Sequence, residues 1–387
     1  MKKIRRKRIF LDYASITPIR KEVIQVMNDI SQNFANPSSI YLEGILAKEK
    51  LEEARKIVSN ILSISKDGIV FTSSGTESNN LAILGIFQNF QTKKFRPHII
   101  TTSIEHSSIL EVCKEIERRG GEVTIIQSGK DGLISPKDII SALKENTVLV
   151  SVMYANNEIG TIQSIDKIGK LIKEYRIKNN KKFPYFHTDA CQSSLYLSLN
   201  MEKLTVDLMT LDGIKMYGPR GVGILAFRPN VKMQPIIFGG GQENNLRSGT
   251  ENLSAIVGIA HALKIGQSLR EKESIRLTSI RNYAMGKILK AFPQSSLNGS
   301  MNRLPNNINI CFPNYDAEFL VISLDVLGIS VSYSSSCQIF KEDSSSYVIS
   351  AIGKKDCSSS SLRITLGKES TKKDIDYLLL ALKKVLK

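Results

Sequence analysis

Asp207-Leu208-Met209-Thr210-Leu211-Asp212-Gly213-Ile214-Lys215-Met216-Tyr217-Gly218-Pro219-Arg220-Gly221 reads as a short apolar strand that stops at a polar tip and presents one lysine before a Gly/Pro-rich bend. Upstream, His187-Thr188-Asp189-Ala190-Cys191-Gln192-Ser193 has the same form, with an acid at the strand tip. Apolar runs at 68–72, 98–102, 122–127, 148–152, 185–188, 208–211 and 223–227 alternate with amphipathic stretches such as 107–119 and 165–178. That alternation predicts an α/β fold, a mostly parallel seven-stranded sheet with helices on both faces. Ligands of such sheets sit beyond the carboxyl ends of the strands, so the residues just after each apolar run are the ones to inspect.

A long helical pattern over 253–291 leads out of this unit. Strand-like 307–311, helix-like 317–327, strand-like 329–332 and 362–366, and a final helix over 372–386 follow. These predict a smaller α+β unit, and the first residues are expected to cross back to it. The expected division is a large domain at 15–255 and a small one made of 1–14 and 256–387, which carries the loop around Cys337.

The chain has 387 residues, 42% hydrophobic and 23% charged, the balance of a folded protein. No stretch approaches the roughly 18 consecutive apolar residues of a membrane span, and the basic start leads into no apolar secretory segment. The net charge of +16 attracts acidic partners nonspecifically. Part of it lies in Lys2, Lys3, Arg5, Arg6, Lys7 and Arg8, read as a solvated tail. The remaining basic residues are not interleaved with aromatics, so no specific nucleic-acid site is expected. The five cysteines form no CxxC pair, so no metal cage is expected. Their odd number and wide spacing suggest a reducing compartment, with the four apart from Cys337 as small apolar fillers.

Several residues can carry chemistry. Lys215, on a rigid turn, can form a Schiff base; a surface lysine is the plain alternative. Asp189 at a strand tip can keep a pyridine nitrogen protonated, or merely cap the next helix. Thr72-Ser73-Ser74-Gly75-Thr76-Glu77-Ser78-Asn79 joins a strand to a helix whose free backbone N–H groups suit a phosphate. It lacks P-loop spacing, and an ordinary capped helix start is the alternative. His106 follows a strand and can stack on a flat cofactor and move protons; His98 and His261 are assigned to structure. Cys337 lies in a polar loop of the length that usually carries function. Arg363 sits inside an apolar strand, where it needs a partner, either a substrate carboxylate taken bidentately or an internal acid.

Taken in order, these elements resemble the cysteine desulfurase family, within the fold-type I pyridoxal-phosphate enzymes (class V aminotransferases). The resemblance covers nearly the whole chain. It runs through Leu11-Asp12-Tyr13-Ala14, Asn36-Pro37-Ser38-Ser39, Thr76-Glu77-Ser78-Asn79, Glu105-His106, Asn156-Asn157-Glu158-Ile159-Gly160, Asp189-Ala190-Cys191-Gln192-Ser193, Lys215 with Tyr217-Gly218-Pro219, Arg247-Ser248-Gly249-Thr250, and Ser361-Leu362-Arg363. It implies pyridoxal 5'-phosphate as cofactor and L-cysteine as substrate. Lys215 would hold the cofactor aldehyde and remove the α-proton. Asp189 would pair with the ring nitrogen, Gln192 with the ring hydroxyl, and His106 would stack on the ring and transfer protons. Gly75, Thr76 and neighbouring N–H groups would hold the phosphate, and Asn156 and Arg363 the substrate carboxylate. Thr250 would reach the cofactor of a second subunit, implying a homodimer. Cys337 would attack the substrate sulfur, leaving alanine and a persulfide. The long cysteine loop is similar to that of the group serving iron–sulfur scaffold proteins; tRNA thiolation is another outlet, and the cytoplasm is the expected location.

The sequence departs from the family at three places. Asp212-Gly213-Ile214-Lys215 replaces Ser-Gly-His-Lys, removing two phosphate contacts and adding an anion. Ser334-Ser335-Ser336-Cys337 replaces a Gly-Ser-Ala-Cys type, and Tyr41 stands where His is common. Other readings of the same chain are a selenocysteine lyase, an aminotransferase (which has no use for a loop thiol), and a degenerate relative acting as a partner-binding scaffold.

Overall fold

The computed structural model describes residues 8–32, 34–333 and 345–386. Cys337, the serine run before it and the basic residues at 2–7 lie outside the described residues.

Eight strands precede the long helix: β1 (Ile9–Phe10), β2 (Ile69–Thr72), β3 (His98–Thr102), β4 (Glu122–Ile126), β5 (Thr147–Ser151), β6 (Tyr185–Asp189), β7 (Leu208–Asp212) and β8 (Gly223–Phe227). Between them lie α1 (Lys21–Ser31), α2 (Leu42–Leu62), α3 (Gly75–Phe90), α4 (Ser107–Arg118), α5 (Pro136–Ser141), α6 (Ile165–Lys178) and α7 (Met201–Leu204). The seven-stranded sheet has the order β2-β8-β7-β6-β5-β3-β4. Strands β4, β3, β5, β6 and β7 are parallel, while β8 runs antiparallel to both β7 and β2. Every residue of β3, β5, β6 and β8 is buried, as a sheet covered by helices on both faces requires. Two histidines are absorbed into this sheet. His98 bonds the hydroxyls of Thr147 and Thr124 at 2.8 Å, and His187 bonds those of Ser151 and Thr210 at 2.9 and 3.0 Å.

Helix α8 (Leu253–Ala291) carries α1 and α2 on its first half. Beyond it come β9 (Ser296–Leu297), β10 (Asn307–Cys311), α9 (Ala317–Val326), β11 (Ile329–Ser330), α10 (Tyr347–Ala351), β12 (Ser361–Thr365) and α11 (Lys372–Val385). Strands β12, β10 and β9 form an antiparallel sheet, and β1 pairs in parallel with β11 through Ile9 and Ile329. The segment around β1 therefore lies against the last third of the chain, and Arg8 makes an ion pair with Asp325 on α9. Among the described residues no helix is long and apolar enough to cross a membrane.

The cysteines depart from the sequence expectation. Cys311 and Cys357 form a disulfide joining the end of β10 to the turn before β12, whereas both were expected as free apolar fillers; among the described residues Cys113 and Cys191 are unpaired. Their spacing gave no sign of the pairing, because β10 and β12 become neighbours only in the sheet.

Candidate functional site

A cavity of about 280 Å³ opens at the carboxyl ends of β6 and β7. It gathers Gly75, Thr76, His106, Asp189, Gln192, Lys215 and Arg363, residues drawn from the whole length of the chain.

Lys215 ends a 3-10 turn that follows β7 directly. Its Nζ donates to the carbonyls of Ala14 and Ser15 at 2.8 and 2.6 Å. Burial holds its pKa below the ordinary lysine value, with Asp212 opposing that shift. The amine is thus shielded from water and less basic than a free lysine, the direction that a nucleophilic or proton-abstracting lysine needs.

Asp189 is the last residue of β6. Its Oδ2 accepts from Asn79 Nδ2 at 2.8 Å and its Oδ1 from the Cys191 N–H at 3.0 Å. The carboxylate therefore caps the next turn and also lines the cavity. Asn79, which sequence reasoning quoted but gave no role, fixes this carboxylate from α3 and also donates to Ser108 Oγ at 2.9 Å. Its position one helical turn after Thr76 was the available signal.

His106 caps α4. Its Nδ1 accepts from the Ser108 N–H at 3.2 Å, which leaves Nε2 to carry the ring proton in the neutral form. Burial lowers its pKa, partly offset by Asp189, so the ring is neutral near pH 7.

At the start of α3, Ser74 Oγ accepts from the Glu77 N–H at 3.2 Å, and the Gly75 N–H donates to Asp212 Oδ2 at 3.0 Å. A Cβ on Gly75 would come within 2.9 Å of Cys191 Sγ and 3.1 Å of Asp212 Oδ2, so only glycine lets these three segments meet. Gln192 donates from Nε2 to the Ala14 carbonyl at 2.9 Å.

Arg363, at the centre of β12, is 2% exposed. Its Nη2 donates to Asp12 Oδ1 and Ser15 Oγ, both at 2.9 Å, and its Nη1 to the Asn157 carbonyl at 3.1 Å. The internal acid thus exists, and Arg363 still lines the cavity. Asn156 requires a correction. It is fully buried and turned away from the cavity, its amide donating to Ile104 O and accepting from the Glu158 and Ile159 N–H groups. Asn157 takes its place in the wall, because the turn after Ala155 spends the first asparagine on closing itself.

Thr250 is exposed and outside this cavity. Its segment is tied to the first turn of α3 by Arg247 Nε, which donates to Glu77 Oε1 at 3.0 Å. Where the chain re-enters the described residues, Ser346 Oγ donates to the buried Glu158 at 2.5 Å and the Tyr347 hydroxyl donates to the Glu105 carbonyl.

Residues 9–378 match the family model described as aminotransferase class-V. A protein of Dictyoglomus turgidum named cysteine desulfurase IscS is 41% identical over 384 residues, covering 98% of this chain and 95% of that one. A solved structure titled NifS-like protein superposes with a TM-score of 0.90 at 31% identity, covering 98% and 99% of the two chains. Another, titled SspA in complex with cysteine, gives a TM-score of 0.79 at 32% identity, covering 92% and 98%.

Proposed function

The chain belongs to the class-V aminotransferase family and is a pyridoxal-phosphate-dependent cysteine desulfurase, and from that premise we propose that Cys337 receives the sulfur of L-cysteine as a persulfide and that the cavity beyond β6 and β7 is where the sulfur is released. The observation carrying this reading is one cavity in which a buried lysine, a fixed carboxylate, a neutral imidazole and an arginine face one another.

The residues fit the cofactor. Arg363, Asn157 and Asn79 line the cavity, and each has one buried side-chain atom (Nε, Oδ1 and Oδ1) without a partner among the described residues, which favours a polar ligand. Lys215 would hold the aldehyde, Asp189 the ring nitrogen, Gln192 the ring hydroxyl, and Gly75 and Thr76 the phosphate. When bound, pyridoxal phosphate supplies a sink for the electron pair left on the α-carbon.

The chain's own residues do the rest. Arg363, with Asn157 beside it, orients the substrate carboxylate, and its Nε is a donor without a partner among the described residues. Lys215 Nζ, depressed in pKa, takes the α-proton and returns it. Neutral His106 accepts the Cys337 thiol proton, since a free thiol is mostly protonated at neutral pH. The Cys337 sulfur bonds to the substrate sulfur as the substrate C–S bond breaks, the electron pair of that bond stays with the β-carbon, and the β-carbon takes the proton that His106 received. The products are L-alanine and a Cys337 persulfide, with no external oxidant or reductant.

The rest of the reading is a homodimer in which Thr250 reaches the second subunit's cofactor, a sulfur-acceptor protein such as an iron–sulfur scaffold, and a cytoplasmic location. The apolar side chains of Phe34 and Ile40, 94% and 93% exposed, support such a dimer surface. Residues 15–255 would be the cofactor-binding domain, and 1–14 with 256–387 the second.

Sulfide release from L-cysteine with a reductant tests the reading, run with and without added cofactor. Sulfide that requires cofactor and disappears in Cys337→Ser is the expected result. Undiminished sulfide from Cys337→Ser would remove the thiol from the reaction.

A further inference from the structure

Asp212 stands in the phosphate cradle as its resident anion. Its Oδ2 takes the Gly75 N–H at 3.0 Å, the first residue of the sixteen-residue helix α3, and its Oδ1 takes the Ile214 N–H at 3.2 Å. Two backbone donors, one at a helix N-terminus, make the seat that a phosphate oxygen would otherwise occupy. A cofactor phosphate arrives with nearly two negative charges. Two anions in one low-dielectric seat cannot both remain charged without large cost, and paired acids solve this by sharing a proton.

We propose that the cofactor phosphate enters this cradle together with one proton, held between a phosphate oxygen and Asp212 Oδ2, so that cofactor loading is tied to pH. The inference rests on the reading that pyridoxal phosphate binds here with its phosphate at the start of α3. The titratable and charged groups coupled to Asp212 are Lys215 on its own turn, Asp189 and Cys191 at the tip of β6, and His106 at the start of α4. Lys215 favours the charged carboxylate and Asp189 disfavours it. Burial, the largest influence, already raises the Asp212 pKa against its two backbone bonds. The bound phosphate raises it further, so the loaded form holds the proton more tightly. Affinity is then greatest at low pH and falls as pH rises past the value at which unloaded Asp212 ionises.

The test is the dissociation constant of pyridoxal 5'-phosphate for the full chain between pH 6 and 9, by equilibrium ultrafiltration, for wild type, Asp212→Asn and Asp212→Ser. Both variants lack the titrating group, and the second guards against misfolding of the first. The titration of free pyridoxal phosphate is common to all three and cancels in the ratio. The expected ratio of wild-type to variant dissociation constant climbs with pH, by up to about tenfold per unit. Calorimetry in two buffers should show wild type taking up as much as one more proton than either variant. A ratio constant across the range would overturn the inference and leave the cofactor reading intact. Failure of all three proteins to bind cofactor at any pH would overturn both.

Discussion

Arg363 Nη2 donates to Asp12 Oδ1 at 2.9 Å, joining the centre of β12 to the segment that follows β1. The arginine is 2% exposed and the aspartate side chain 17%. The same guanidinium holds Ser15, whose carbonyl holds Lys215. Ser15 therefore links the Arg363 guanidinium to the Lys215 amine.

Removing the counter-charge should expose the cost of that burial. Asp12→Asn leaves a buried guanidinium with neutral partners only and should lower stability by about 3 kcal/mol, read as a shift of the urea midpoint. Arg363→Lys keeps a charge but loses the planar fork. It should raise the KM for cysteine by about one to two orders of magnitude with a smaller change in kcat. An unchanged KM would assign Arg363 to structure alone.

Lys215→Ala should reduce sulfide release by about a thousandfold, with cysteine still binding. Because Nζ is anchored on two carbonyls and not on an acid, the variant should keep its far-ultraviolet circular dichroism. Near-normal turnover would mean that another group removes the α-proton.

Restoring neutral donors to the cradle should tighten the cofactor. Asp212→Ser with Ile214→His removes the resident carboxylate and adds a ring donor at a cavity-wall position. The dissociation constant of pyridoxal phosphate should fall at least about tenfold at pH 8, since a single charge repulsion at intermediate dielectric exceeds the energy of that factor. Equal affinity would show that Asp212 turns aside at no cost.

Glu105 is wholly buried, and burial pushes its pKa to about 8. Its Oε1 accepts from Thr102 Oγ1 at 2.7 Å and from the Met153 N–H at 2.9 Å, while Oε2 has no partner among the described residues. With the folded pKa above the unfolded one, its contribution is full below about pH 4.5 and is lost as pH rises toward 8. Glu105→Gln keeps the acceptor and cannot ionise. It should nearly match wild type near pH 5 and exceed it by on the order of 5 kcal/mol at pH 9, in denaturant titrations at the two pH values. A gain independent of pH would mean that the acid stays neutral throughout.

Sequence alone determined the alternation of strands and helices, the boundaries of α6, α8 and β10, and the placement of Asp189 and Lys215 at strand tips. These are legible because apolar periodicity and turn chemistry act over a few residues. Tertiary structure decided the rest. It chose Asn157 over Asn156 for the cavity wall through the hydrogen bonds of one turn, and it paired Cys311 with Cys357 across the small sheet. It gave Asp189 its partner on α3, and Arg363 its acid from the opposite end of the chain. It also seated Asp212 on the Gly75 N–H. Each of these is a contact between segments remote in sequence, whose geometry exists only once the sheet has brought their ends together.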